Sequence, residues 1–219
     1  EHQKMPTTRI EYSYYLMAVD AGLQMMPSRL LEGEQTAHFL TERFDRRNGK
    51  KVHIQTLAAM NPSADSYEAL FEVACRIGVP PGELRQLFRS MVLNVLGGNV
   101  DDHNKNFSFL MDDDGHWHVA PTYDYTFSVD PDAPYYVNRH SMTINNKTEG
   151  ITAEDLLEVA RRYGIKAAEP FIEKAIGIVS HYPEYGREAG VGEEWIGTIE
   201  KEIAARIECV SDNRADRLK

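Results

Sequence analysis

Residues 99–124 read NVDDHNKNFSFLMDDDGHWHVAPTYD, and the fold turns on what this stretch does. Nine acidic or amide side chains fall within twenty-six residues, interleaved with an apolar run and a tight turn. The stretch follows Leu84, Leu87, Phe88, Met91, Val92, Val95 and Leu96, whose spacing predicts a helix ending at Gly97-Gly98. Residues 99–106 must then be a loop and 107–110 a strand. The MDDDGH turn places Gly115 where positive φ is needed, and 116–119 form the returning strand. Pro121 ends the pairing. The hairpin brings the chain back toward its start. Asp101, Asn106 and Asp124 are therefore expected to meet at one end of it, although 18 residues separate the last two.

Amide and carboxylate oxygens suit Mg²⁺, which keeps part of its water shell and takes other ligands from phosphates. Asp101 and Asn106 have the Asp-x-x-x-x-Asn spacing of the protein-kinase catalytic loop. There the Asp accepts the substrate hydroxyl proton, the Asn holds a metal, and a later Asp holds the metals that bridge the phosphates. The order of helix, loop, hairpin and following Asp matches as well. The competing reading is a solvated loop whose Asp and Asn side chains cap turns. It would suit each residue alone, but it does not account for spacing and topology together.

The chain resembles the HipA-like serine/threonine kinases, the toxin components of bacterial toxin–antitoxin pairs. The resemblance rests on DDHNKNFS at 101–108, APTYD at 120–124, ERFDRR at 42–47 and EYSYYLMAVDAGLQMMP at 11–27, in the family's order. It implies an α+β, protein-kinase-like fold. Residues 1–60 would form a partial, strand-containing N-lobe and hinge, and 61–219 a mostly helical C-lobe. It implies Asp101 as catalytic base, Asn106 and Asp124 as metal ligands, Lys105 as a contact to the γ-phosphate and His103 as a brace of the loop. ERF would be the hinge, where the backbone of Glu42 and Phe44 meets adenine and the Glu42, Arg43 and Phe44 side chains help shape the pocket. Glu11 would be the helix glutamate that pairs with an ATP-binding lysine. The implied cofactors are ATP and Mg²⁺. The implied partners are a DNA-binding antitoxin and a protein substrate such as an aminoacyl-tRNA synthetase or another translation factor.

The chain departs from a full kinase in its first residues. No GxGxxG or GxxxxGK occurs, only ten residues precede Glu11, and Lys4 is the one lysine among them. It reads as a HipA-type C-terminal region lacking most of the N-lobe. That opens a second reading, a kinase-like lobe that binds an antitoxin or a separate N-lobe without turnover. A third, a metal-dependent hydrolase, ranks lower because no second ligand cluster has convincing spacing.

Composition sets the outer bounds. A net charge of −10 over 219 residues disfavours broad contact with a phosphate backbone, so direct nucleic-acid binding is not expected. No apolar run reaches the length of a membrane span, and residues 1–4 carry no signal-peptide pattern. Cys75 and Cys209 have no CxxC spacing, which reads as a cytosolic, cytoplasmic protein with two free thiols.

Elsewhere, 8–22 reads as a helix capped by Gly22, and 28–47 as a hairpin with Gly33 at its turn and 36–44 extended. A third extended piece covers 51–54. Asp65 and Glu68 resemble a capping box before the helix that stops at Gly78. Residues 127–150 read as a long loop. Later helices are marked by Thr152 with Asp155, by Pro170, and by Trp195, Ile196, Ile199, Ile203 and Ile207. Asp102 would raise the pKa of Asp101, add a metal contact or face water. Asp112, Asp113 and Asp114 read as turn residues, and His116 with His118 as an exposed strand face. Arg43, Arg46 and Arg47 fit a phosphate cluster and a salt-bridged surface equally. Tyr12, Tyr14 and Tyr15 read as half-buried on a lobe-interface helix, and Trp117 and Trp195 as packing residues.

Overall fold

The computed structural model describes residues 5–34, 36–134 and 137–212. The chain begins with α1 (Thr7–Ala21), which turns Ile10, Tyr14, Met17, Ala18 and Ala21 inward and ends at Gly22 with φ +85°. The Gly22 N–H returns to the Ala18 and Val19 carbonyls, so the expected left-handed cap is present. β1 (Ser28–Glu32) and β2 (Ala37–Thr41) pair antiparallel with Leu30 opposite Phe39, and pack on one side of α1. The extended run stops at Thr41, short of Phe44. Arg46–Arg47 (β3) and Lys50–Lys51 (β4) instead make a second small hairpin. Its turn is Asn48-Gly49, with φ of +51° and +76°, the positive pair that a two-residue turn requires.

β5 (His53–Thr56) leaves the N-terminal hairpins and pairs with β6 (Ser108–Met111), which pairs in turn with β7 (Trp117–Val119). The third extended piece therefore belongs to the sheet that carries the NVDDHNKN stretch. α2 (Leu57–Met60) follows at once, with Thr56 accepting from the Ala59 N–H. α3 (Tyr67–Arg76) is capped by Ser66, which accepts from Ala69, and not by the expected Asp65–Glu68 pair. Glu68 accepts from the Asn145 N–H instead.

The centre of the molecule is α4 (Leu84–Gly97). It buries Leu87, Phe88, Met91, Val92, Leu93, Val95 and Leu96 and ends at Gly98 with φ +68°. α5 (Ala153–Arg162) opens on a complete Thr152–Asp155 capping box. α6 (Ala168–Val179), α7 (Tyr182–Glu188) and α8 (Glu193–Ser211) complete the helical layer. α6 and α8 pack on α4, and α7 and α6 pack on α1. One buried cluster runs from Ile10 to Val210, so the site is held by a continuous core. Tyr14 is fully buried and bonds the Gly97 carbonyl, whereas Tyr12 and Tyr15 are half-buried and stack beside Phe39. Among the described residues, no helix is long and apolar enough to cross a membrane.

Candidate active site

Gly98 turns the chain off α4 into the loop 99–107, and Asn99 donates to the Asn94 side chain to hold the departure. Ser128 accepts from the Val100 and Asp101 N–H groups at 2.7 and 3.0 Å. The Asn106 amide donates to the Asp101 carbonyl at 2.9 Å, which draws the two ends of the Asp-x-x-x-x-Asn motif together. Among the described residues nothing donates to the Asn106 Oδ1, which leaves that oxygen for a ligand. The Asp101 side chain is 66% exposed, with His103 Nε2 3.9 Å from its Oδ1. The Nδ1 of His103 is buried with no partner, and its Nε2 lies beyond hydrogen-bond distance of Asp101.

Across from this loop, Tyr123 donates to the Lys105 carbonyl at 2.7 Å and bonds the Ser108 hydroxyl. The next residue, Asp124, sits at φ +56°, a conformation that costs about 1–3 kcal/mol and clusters at functional sites. Its carboxylate is exposed and has no hydrogen-bond partner among the described residues.

A cavity of about 450 Å³ opens between the β1–β2 hairpin and this loop, a volume within the range of small-molecule sites. Glu11, Glu42, Arg43, Phe44, Lys105 and Asp124 line it together with Met25, Met26, Phe39 and Ile54. Six of the nine residues expected at the site thus share one cavity. Asp101, His103 and Asn106 lie outside its lining, on the loop that carries Lys105. The Phe44 and Tyr123 rings face each other with centroids 5.5 Å apart. The Glu42 N–H is taken by the Pro27 carbonyl at 3.1 Å. The Glu42 carbonyl and the Phe44 N–H are bonded to no described group, an acceptor and a donor two residues apart on the cavity wall.

Charge in the cavity is unbalanced toward acid. Burial, and then the nearby Asp124, push the Glu11 carboxyl up to about 7, and no described cation pairs with it. The Asn106 oxygen and the Asp124 carboxylate are hard-oxygen donors without partners among the described residues, the kind of group that Mg²⁺ takes. Arg43 does not supply the balance. It is bidentate to Asp45 at 2.8 and 2.7 Å, and Arg46 reaches the same carboxylate at 2.6 Å. Of the two readings of the arginine run, the salt-bridged surface holds for Arg43 and Arg46.

Two other expectations change. Asp102 neither faces water nor approaches the proposed metal ligands; it is fully buried and bonded to Tyr67, His140 and Ser141. His118 is not an idle exposed residue, because its two nitrogens meet Glu83 at 2.8 Å and Asp112 at 3.1 Å. Asp112 is a turn residue as expected, accepting from the Asp114 and His116 N–H groups. Tyr123, Met25 and Ile54 were missed as cavity residues. Tyr123 and Met25 had a signal, since they lie inside the APTYD and 11–27 motifs; Ile54 is set by strand pairing and had none.

The fold and site place this chain among the kinase-like α+β proteins. It belongs to the HipA-like family: the model of the HipA-like C-terminal domain matches residues 2–184. Y4mE of Sinorhizobium fredii, whose name describes a presumed kinase, is 25% identical over 139 residues, covering 56% of this chain and 33% of that protein. The structure of the Shewanella oneidensis MR-1 toxin–antitoxin system HipA, HipB and its operator DNA contains a chain that superposes with a TM-score of 0.71 at 20% identity. The match covers 95% of this chain and 57% of that one. The Helicobacter pylori proinflammatory kinase CtkA superposes at 0.62 with 17% identity, over 98% of this chain and 89% of its own. The chain therefore spans about a third of Y4mE and somewhat over half of the Shewanella chain.

Proposed function

We propose that this chain is the catalytic region of an ATP-dependent protein serine/threonine kinase of the HipA-like class. The observation that carries the reading is the cavity that Glu42 and Phe44 line together with Lys105 and Asp124. An adenine edge needs one backbone acceptor and one donor close together, which the Glu42 carbonyl and Phe44 N–H supply. Lys105 contacts the γ-phosphate. Asn106 and Asp124 hold Mg²⁺, which neutralises phosphate charge when bound. Asp101, exposed at the loop's outer face, accepts the proton of a serine or threonine hydroxyl as its oxygen bonds to the γ-phosphorus. The bond from that phosphorus to the bridging oxygen breaks, and ADP leaves with the electron pair. His103 braces the loop, and Glu11 awaits the charge of a lysine or a metal.

On this reading residues 1–60 form a partial N-lobe with its hinge and 61–219 the C-lobe, in a cytoplasmic protein. A DNA-binding antitoxin is the proposed partner, in keeping with the HipB-bound neighbour and the acidic charge here. The substrate class is a translation protein such as an aminoacyl-tRNA synthetase.

The test is calorimetric titration of Mg²⁺-ATP into the chain beside Asn106→Ala and Asp124→Ala, followed by phosphoryl transfer with Asp101→Asn. Binding lost in both alanine variants and transfer lost in the third is the expected result. A folded wild-type chain that binds no Mg²⁺-ATP overturns the reading. Binding without transfer would make the chain a docking lobe.

A further inference from the structure

Asp101 and Asp102 are adjacent carboxylates turned in opposite directions. The Asp101 side chain is 66% exposed and that of Asp102 is 0%. Asp102 Oδ2 accepts from the Tyr67 hydroxyl at 2.7 Å and from His140 Nδ1 at 2.8 Å; its Oδ1 accepts from the Ser141 N–H at 2.8 Å. A carboxylate without such donors would not be tolerated there, since leaving a buried charge unpaired costs several kcal/mol. His140 is itself 4% exposed, with Nε2 3.4 Å from Arg206 on α8. An arginine can only donate, so His140 accepts at Nε2 and donates from Nδ1 to Asp102.

The partners lie in two places. Tyr67 opens α3, and also receives the Asn94 amide from α4 at 2.9 Å. His140 and Ser141 belong to the stretch between Asp124 and α5. That stretch grips the loop at a second point, through Ser128 on the Val100 and Asp101 N–H groups and through Ser141 on the Val100 carbonyl. In protein kinases the stretch after the metal-binding Asp is often ordered by phosphorylation, which supplies charge for arginines to hold. Here a carboxylate built into the catalytic loop does the holding.

We propose that Asp102 is a positioning residue: it docks residues 140–142 onto the loop and thereby fixes Asp101 outward, with no phosphate group needed. The inference rests on the reading of Asp101 as the base. An asparagine at this position would keep the shape but turn an NH₂ toward two donors, either Tyr67 and His140 or the Ser141 and Met142 N–H groups. Asp102 bonds Tyr67, His140, Ser141 and Met142 and none of the groups proposed to hold nucleotide, so its loss is expected to fall on transfer and not on nucleotide binding.

The experiment compares wild type, Asp102→Asn and Tyr67→Phe. Three quantities are measured: Mg²⁺-ATP affinity, the rate of transfer to myelin basic protein at saturating nucleotide, and amide exchange over residues 100–107 and 138–143. For Asp102→Asn we expect affinity within about twofold, transfer slower by about ten- to a hundredfold, and faster exchange in both stretches, as for a misplaced catalytic group. Tyr67→Phe should show the same pattern more weakly, and it carries the test if the first variant does not fold. Unchanged transfer per bound nucleotide, or unchanged exchange in both stretches, overturns the inference. If wild type itself transfers nothing, the reading of Asp101 fails. The exchange arm then still decides whether Asp102 holds the two stretches together.

Discussion

Tyr123 and Lys105 are joined by a hydrogen bond of 2.7 Å from phenol to backbone carbonyl, which fastens the residue before Asp124 to the loop that bears Asp101 and Asn106. The same hydroxyl bonds Ser108, which is 4% exposed at the start of β6. One oxygen thus sets the spacing between the two halves of the proposed metal site. Tyr123→Phe would leave the buried Ser108 hydroxyl and the exposed Lys105 carbonyl without this partner, a loss of about 1–3 kcal/mol that falls on the buried hydroxyl. Urea unfolding should show a lower midpoint at unchanged slope, and Mg²⁺-ATP should bind several-fold more weakly. An unchanged midpoint would mean that water replaces the phenol at both partners.

Gly97 closes α4 where two tyrosines converge. Tyr14 bonds its carbonyl, and a Cβ built on it would lie 2.6 Å from the Tyr125 hydroxyl and 3.2 Å from the Tyr14 ring. Alanine is worth about 1 kcal/mol over glycine in a helix. Overpacking a core of this kind costs about 1–3 kcal/mol, and here the Tyr125 bond to the Leu93 carbonyl must also move. The steric term wins, so Gly97→Ala should lower the melting temperature. A rise would show that both rings can step aside.

Much of this arrangement was legible because it is local. The spacing from Leu84 to Leu96, the paired glycines after it, and Gly115 in the hairpin turn each encode their own conformation, and α4, its cap and the β6–β7 hairpin follow. The β5–β6 pairing was not legible: Gln55 meets Phe109 across fifty-four positions, and nothing in HIQT names its partner. The Asn48-Gly49 turn had a signal, but strands of two exposed residues each lack the alternation that marks a hairpin. The opposite fates of Asp101 and Asp102 depend on a segment nearly forty residues away, so two adjacent Asp letters look alike. The cap at Ser66 was missed by one position because Asp65 is an equally good capping residue on paper.

His118 joins β7 to the residue preceding α4. Glu83 first, and then Asp112, raise its pKa above the ordinary histidine value, and the His116 N–H and His118 hold Asp112 down to about 2. A histidine raised on folding stabilises fully below its unfolded value near 6.5, and the contribution disappears as pH climbs through the folded value. Asp112 contributes above its unfolded value near 3.8 and loses that contribution as pH falls toward 2. The bridge is therefore strongest from about pH 4 to 6.5. Denaturation midpoints at pH 5.5 and 8.5 should differ more for wild type than for His118→Gln. Equal differences would remove the imidazolium from the account.

Glu11 is shifted in the direction opposite to Asp112, so like His118 it lowers stability as pH rises. Burial and Asp124 lift its carboxyl from 4.5 to about 7, so the fold prefers the protonated acid. The resulting penalty is absent below the unfolded value, grows as pH rises through the window up to about 7, and is complete above it. Glu11→Gln, which mimics the neutral acid, should melt at the same temperature as wild type at pH 4.5 and at a higher one at pH 8, both without metal. Mg²⁺-ATP adds positive charge beside Asp124 on the proposed reading, and should shrink the difference at pH 8. Melting curves at the two pH values, with and without Mg²⁺-ATP, separate the two claims. A gap that is the same at both pH values would mean Glu11 is already paired. A gap that Mg²⁺-ATP leaves untouched would place the metal away from Asp124.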